Sequence, residues 1–190
     1  MEALLVSAAV VAVAEIGDKT QLLSLILAAK YRKPLPIIGG ILVATLANHL
    51  GAAFVGSLVA NLLSEQVMAW ILGLGFVAMA VWALIPDKEE EPTEKAGRFG
   101  PFVATTIAFF LLEMGDKTQI ATVALGARFQ GMLLWVTAGT TIGMMAANVP
   151  AVLLGDVAAK KLPLGVVRTV AAVIFLVLGV LSIGHAIGWV

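Results

Sequence analysis

The sequence predicts an all-α membrane protein in which six transmembrane helices form two inverted three-helix repeats. Three observations lead to this fold class: an apolar composition, hydrophobic stretches of bilayer length, and an internal duplication. Of the 190 residues, 61% are hydrophobic and 13% are charged, which is about half the charge of a typical soluble domain. Apolar stretches of about 20 residues are long enough to cross a hydrocarbon core of about 30 Å.

Six hydrophobic stretches follow one another, separated by segments that carry proline, glycine or charges. We expect a membrane-spanning helix in each of them, at 3–29, 36–60, 66–85, 101–127, 132–158 and 165–188. The segment 86–100 is rich in charge and is predicted to be a cytoplasmic linker between a first repeat, 1–85, and a second repeat, 101–190. Cysteine is absent from the sequence, which excludes disulfides and thiolate metal sites, and the net charge of zero does not support nucleic-acid binding.

The duplication is marked by "EIGDKTQ" at 15–21 and "EMGDKTQ" at 113–119, which differ at one position. The surrounding residues align at an offset of 98, and further along the offset becomes 99, so that His49 falls opposite Asn148. With three predicted spans in each copy, the second copy must enter the membrane from the opposite side. Such inverted repeats are typical of secondary transporters, whose sites lie near the midplane where the repeats meet.

Basic residues in the predicted loops indicate the orientation in the membrane. The loops after the first, third and fifth spans, counted together with Arg168 at the start of the sixth span, contain nine lysines and arginines, whereas the loops on the other side contain only Arg128. Basic loops face the cytoplasm. We therefore expect both termini to lie outside the cytoplasm.

Both motifs place two acids and a lysine near the middle of a predicted span. On a continuous helix Glu15 and Asp18 would share a face, and so would Glu113 and Asp116. An ionised residue at that depth costs about 2.5–3.5 kcal/mol. We therefore expect these acids, with the lysines beside them, to face one another between the repeats or to line a water-filled cavity.

Four carboxylates in such a place predict a metal site formed by Glu15, Asp18, Glu113 and Asp116. Oxygen ligands suit Mn²⁺, Ca²⁺ and Mg²⁺. If every group is ionised, the two motifs carry a net charge of minus two, which one divalent cation or two protons would neutralise. A site that either one divalent cation or two protons can neutralise is what a cation/proton exchanger requires.

Neighbouring polar residues are candidates for further ligands or for hydrogen bonds to the ligands. They are Gln21, Gln119, Lys19, Lys117, Thr20, Thr118, Asn48, His49 and Asn148. The threonine hydroxyls are expected to bond backbone carbonyls, and the asparagines to bond neighbouring helices. His49 could instead relay protons or supply a nitrogen ligand that favours Mn²⁺. Gly17 and Gly115 would permit either a close helix contact or local unwinding.

Twin E-x-G-D-K-S/T motifs on the first and fourth helices of a three-plus-three duplication resemble a known family. They are similar to those of the cation/proton exchangers of calcium/cation antiporter superfamily 2, which include bacterial manganese exporters of the MneA type and Golgi and chloroplast manganese/calcium transporters. The resemblance implies export of Mn²⁺, and often Ca²⁺, from the cytosol against protons. It also implies that the four motif carboxylates bind the cation and exchange the protons. The short loops imply a prokaryotic inner membrane.

Two other functions fit the same residues. The acids could form the selectivity ring of a divalent cation channel or facilitator, or they could only hold the helices of a non-transporting structural protein together. An enzyme is the least expected class, because no nucleophile or metalloprotease arrangement meets the acids. Apart from transported metal ions and protons, the expected partner is the lipid bilayer. No bound cofactor is expected. Assembly into a homo-oligomer is compatible with the sequence.

Overall fold

The computed structural model describes residues 1–85, 100–154 and 164–189, apart from the side chains of Leu164 and Val167. These residues form eight α-helices, and the described part of the chain contains no strand. The helices are α1 Glu2–Glu15, α2 Lys19–Tyr31, α3 Pro34–Leu62, α4 Glu65–Ala83, α5 Pro101–Glu113, α6 Lys117–Arg128, α7 Leu133–Leu154 and α8 Leu164–Ala186. The prediction of an all-α chain is therefore confirmed.

The first and fourth predicted spans are not continuous helices, and the prediction is wrong on this point. Each is interrupted inside its motif, between α1 and α2 and between α5 and α6. Glycine is the physical reason. Gly17 and Gly115 both have a φ of +79°, a left-handed conformation that costs a residue with a Cβ about 1–2 kcal/mol.

Four helices are long and apolar enough to cross a membrane: Pro34–Leu62, Glu65–Ala83, Leu133–Leu154 and Arg168–Ala186. The half-helices α1, α2, α5 and α6 contain 12–14 residues each. At about 1.5 Å per residue, such a half-helix falls short of a hydrocarbon core of about 30 Å. Only the two half-helices of a pair, taken together, reach that length.

Corresponding helices of the two halves make corresponding contacts. α1 packs along α7 and α5 packs along α3, so each N-terminal half-helix lies against a long helix of the other half. Close approach depends on glycine: a Cβ on Gly143 would lie 2.5 Å from the Ala8 carbonyl oxygen, and a Cβ on Gly40 would lie 2.8 Å from that of Phe102. Because α1 packs on a helix of the second half and α5 on a helix of the first, the two motifs lie in the same region of the protein.

The remaining long helices, α4 and α8, pack against each other. Phe76 and Phe175 stack between them, with 6.3 Å between the ring centroids. The predicted linker 86–100 lies outside the described residues except for Gly100, as does the end of the fifth span beyond Leu154.

Candidate cation site between the two motifs

The two acids of each motif lie on either side of a helix break. Glu15 is the last residue of α1 and Asp18 is the N-cap of α2. Glu113 and Asp116 occupy the same positions between α5 and α6. The expectation that the acids of a motif share one helical face is therefore wrong, because the left-handed glycine between them ends the helix. Of the two roles expected for that glycine, the structure shows local unwinding.

Gln21 and Gln119 close the two breaks. Their Oε1 atoms accept hydrogen bonds from the backbone N–H groups of Gly17, at 2.9 Å, and Gly115, at 2.7 Å. Gln21 also donates from Nε2 to the carbonyl oxygen of Ala147 in α7, at 3.0 Å. The glutamines were candidates for ligands or for hydrogen bonds to ligands, and the structure places them on the backbone of the break.

The aspartates pair with lysines of the opposite motif. Lys19 Nζ lies 3.1 Å from Asp116 Oδ1, and Lys117 forms the reciprocal ion pair with Asp18. Neither aspartate uses its carboxylate to cap its own helix, although each stands at an N-cap. The side chain of Lys19 is 20% exposed and that of Lys117 is 8% exposed. These two ion pairs join the halves of the chain at the breaks.

The glutamates are fully buried beside these pairs. Glu15 interacts electrostatically with Glu113, Asp18 and Asp116, so the four carboxylates form one charge cluster. Glu15 Oε1 accepts a hydrogen bond from Asn148 Nδ2 at 3.2 Å, whereas its Oε2 and the Oε1 of Glu113 have no hydrogen-bond partner. Buried carboxylate oxygens without a donor are costly in an apolar protein.

Asn148 and His49 occupy corresponding positions beside the glutamate of the other half. Asn148, in α7, bonds Glu15, and it accepts a hydrogen bond from Ser24 at 2.7 Å. His49, in α3, places Nε2 3.9 Å from Glu113 Oε2, and both residues are fully buried. The 99-residue offset therefore matches the structure. Asn48 bonds the Phe110 carbonyl oxygen at 3.1 Å, which is the interhelical bond expected of it.

The threonines do not bond backbone carbonyls as expected. Thr118 Oγ1 donates to Glu113 Oε2 at 3.0 Å and lies 3.3 Å from Asp116 Oδ2. Its counterpart, Thr20, is fully buried and its hydroxyl has no hydrogen-bond partner. The reason lies in the helix break: both threonines are in the first turn of a half-helix, where no helical carbonyl lies four residues earlier to accept their hydroxyls.

This arrangement gathers charge without forming a closed coordination sphere. Among the described residues, no three histidine or acidic side chains stand close enough to hold a metal ion. The lysines form ion pairs with the aspartates here.

Two residues of this region were missed in the sequence. Ser24 supplies the hydrogen bond to Asn148, and Met144 Sδ lies 3.1 Å from Asn148 Nδ2. Met144 stands one helical turn before Asn148, and its counterpart in α3, Thr45, stands one turn before His49. A search for polar or sulfur-bearing residues one turn from the paired positions would have identified Met144 and Thr45. Ser24 carries no comparable signal.

Comparison with known proteins gives one family. The family model described as "Divalent cation/proton antiporter GDT1" matches residues 3–91 and again residues 101–188. Each match covers one half of the duplication. No solved structure gives a significant match.

Curated relatives are similar along most of the chain. A protein of Vibrio cholerae serotype O1 named "Putative manganese exporter" is 55% identical over 178 residues, which cover 94% of this chain and 88% of that protein. The "GDT1-like protein sll0615" of Synechocystis is 28% identical, covering 90% of this chain and 92% of the relative. In rice, Oryza sativa subsp. indica, "GDT1-like protein 3" is 29% identical, covering 92% of this chain and 71% of the relative.

Proposed function

The chain belongs to the GDT1 family of divalent cation/proton antiporters, and from this premise we propose that it exports Mn²⁺, and also Ca²⁺, from the cytosol in exchange for protons. The family consists of transporters, not enzymes. Glu15, Asp18, Glu113 and Asp116 would bind the cation. Support for Mn²⁺ comes from the name of the relative that is 55% identical.

One observation carries the site assignment: buried acids from two distant motifs lie in a single cluster. The cross-pairs of Lys19 with Asp116 and of Lys117 with Asp18 bring together residues about 100 positions apart in sequence. Charge this deep in a membrane protein marks a functional site by default. A packing role alone would not account for buried carboxylate oxygens that lack a donor.

The half-helices add backbone groups to the site. The last carbonyl groups of α1 and α5 have no helical N–H group four residues later, because each helix ends at its motif. The carbonyl oxygens of Glu15 and Glu113 accept instead from the N–H groups of Asp18, at 3.0 Å, and Asp116, at 3.1 Å. The negative dipole ends of α1 and α5 point to the region of Glu15 and Glu113. In secondary transporters, unwound carbonyls and the C-terminal ends of half-helices coordinate the transported ion. The breaks therefore suit a cation pathway better than continuous helices would.

We further propose that the chain is a six-crossing inverted repeat. The repeats would be residues 1–85 and 101–190, joined by a cytoplasmic linker at 86–100. The double match of the family model and the exchanged packing of α1 with α7 and of α5 with α3 support two equivalent halves. In a prokaryotic inner membrane both termini would lie outside the cytoplasm, as the basic loops indicate.

Charge balance supports one exchange ratio. When all are ionised, the four carboxylates and the two lysines together carry a net charge of minus two, whether a lysine contacts an aspartate or has moved aside within the site. One divalent cation or two protons bring the buried site to neutrality, and any other occupancy leaves charge in the membrane interior. The expected exchange is one divalent cation for two protons.

Proteoliposomes test this function. Wild-type protein should drive Mn²⁺ uphill when a pH gradient is imposed, which a channel cannot do. Glu15→Gln and Glu113→Gln should each abolish this flux, whereas Glu65→Gln, which removes an exposed glutamate of α4, should leave it intact. Flux that ignores the pH gradient would refute the exchange, and unimpaired flux in both motif variants would refute the site.

A further inference from the structure

Building on the transport function above, we propose that Lys19 and Lys117 are tethered counter-ions: they neutralise the aspartates of the empty site and are displaced by the divalent cation. Each lysine would compete with the substrate cation for the carboxylates while remaining covalently part of the protein. The lysines would therefore set the affinity of the site and its preference for divalent ions.

The geometry fits a competitor. Each lysine is the first residue of a half-helix, directly after its own motif's aspartate, yet it forms an ion pair with the aspartate of the other half. Lys19 Nζ contacts Asp116 Oδ1 at 3.1 Å, so the ammonium group occupies the space that a cation bound to this oxygen would need. An ammonium group and a divalent cation repel each other at such a separation. Both cannot occupy the same position on this carboxylate oxygen.

The choice of lysine supports exchange in preference to a permanent bridge. A lysine presents a compact charge on a flexible four-carbon chain, so it can swing away without disturbing the backbone. An arginine would hold a carboxylate through two parallel hydrogen bonds and would be harder to displace. Both motifs carry lysine at this position. The first turn of a helix is moreover an unfavourable place for a cation, because of the helix dipole.

Displacement of the lysines would also favour divalent over monovalent cations. A monovalent cation that replaces one ammonium group gains no electrostatic advantage, since it brings the same charge. A divalent cation can attract Asp18 and Asp116 together and so outcompetes two separate ammonium groups. The pairing would thus exclude Na⁺ and K⁺ from a site that is otherwise rich in carboxylates.

Equilibrium binding of Mn²⁺ to the purified, metal-free protein tests the inference. Lys19→Gln should bind Mn²⁺ several-fold more tightly than wild type. Lys117→Gln, which removes the more buried pair, should bind about tenfold more tightly, since buried pairs cost more to separate than exposed ones. Both variants should also let Na⁺ compete. Lys30→Gln, an exposed position on α2, is the matched control and should behave as wild type.

A second pair of variants covers the case in which a glutamine variant does not fold. Lys19→Arg and Lys117→Arg keep the charge and should bind Mn²⁺ more weakly than wild type. Glutamine variants with unchanged or weaker affinity, or arginine variants with tighter affinity, would overturn the inference.

The two proposals fail differently. If wild type binds and exports Mn²⁺ but the lysine variants give the opposite affinities, only the competitor role is wrong. If wild type neither binds nor moves Mn²⁺ or Ca²⁺, the proposed function is wrong and the competitor role falls with it.

Discussion

Asn148 donates a hydrogen bond to Glu15, with 3.2 Å between Nδ2 and Oε1, and so ties α7 to the end of α1. The same amide group donates to the Met144 carbonyl oxygen at 3.1 Å, and Asn148 Oδ1 accepts from Ser24 at 2.7 Å. One amide side chain thus fixes a buried acid of the first half from a helix of the second half.

Asn148→Ala should destabilise the protein by about 1–3 kcal/mol, because it leaves a buried carboxylate and a buried hydroxyl without their partners. Transport should fall with it, since Glu15 is no longer held. Unfolding in detergent and Mn²⁺ flux measure the two effects. Thr140→Val is the control: Thr140 is equally buried on α7 but bonds within its own helix, to the Val136 carbonyl oxygen at 3.0 Å. Equal losses in both variants would contradict a special role of Asn148.

His49→Gln should lower the preference for Mn²⁺ over Ca²⁺ by several-fold while leaving the protein folded. His49 is fully buried with Nε2 3.9 Å from Glu113 Oε2, and nitrogen ligands favour transition-metal ions over Ca²⁺. Competition between the two ions in a flux assay gives the ratio. His185→Gln, at the far end of α8, should leave the ratio unchanged. An unaltered ratio in His49→Gln would exclude the imidazole from selectivity.

Exchanging the charges of Lys19 and Asp116 tests their pairing across the halves. Lys19→Asp and Asp116→Lys should each destabilise the protein, and the double variant should recover part of the loss, with a coupling energy of about 0.5–3 kcal/mol. Thermal unfolding of the four proteins of the cycle gives the coupling. Lys30→Asp combined with Asp116→Lys provides the comparison and should show none. Additive losses in the main cycle would mean that the pair does not form in the membrane.

Gly115→Ala should cost about 1–2 kcal/mol of stability and reduce transport, because Gly115 has a φ of +79° that alanine adopts only with strain. A Cβ at this position would meet no atom within 4 Å, so backbone strain is the sole cause expected. Gly75→Ala is the matched control, since that glycine also has open space around it but lies within α4. Alanine should be neutral or stabilising there. Two glycine variants with the same loss would argue against a strained break.

The sequence predicted the overall class and the family, because each leaves a strong signal in the order of residues. Hydrophobic length predicted the all-α membrane class, and the doubled motif identified the family of exchangers. The correspondence of His49 with Asn148 followed from the alignment of the two copies, and each residue does lie beside the glutamate of the other half. Register between copies is preserved wherever equivalent helices make equivalent contacts.

Local unwinding at Gly17 and Gly115 was one of two expected roles, but the predicted spans were drawn as continuous helices. Hydropathy is summed over a window, and a short unwound segment does not lower the sum. A local signal was nevertheless present. Aspartate followed three residues later by glutamine is a helix-start pattern, and it stands at Asp18 with Gln21 and at Asp116 with Gln119. The partner of each lysine could not have been predicted, because sequence proximity favours the adjacent aspartate, whereas the fold supplies the one about 100 residues away.

The crossed ion pairs also bear on how the protein is made. Synthesis and folding proceed from the N-terminus, so Asp18 and Lys19 enter the membrane before Lys117 and Asp116 exist. During that interval the ion pairs that join the two halves cannot form, and a chain truncated after the first half could never form them. Biogenesis must therefore either keep the first half hydrated or delay its burial until the second half arrives. The motif that would move the cation would thus also make stable insertion of the first half depend on synthesis of the second.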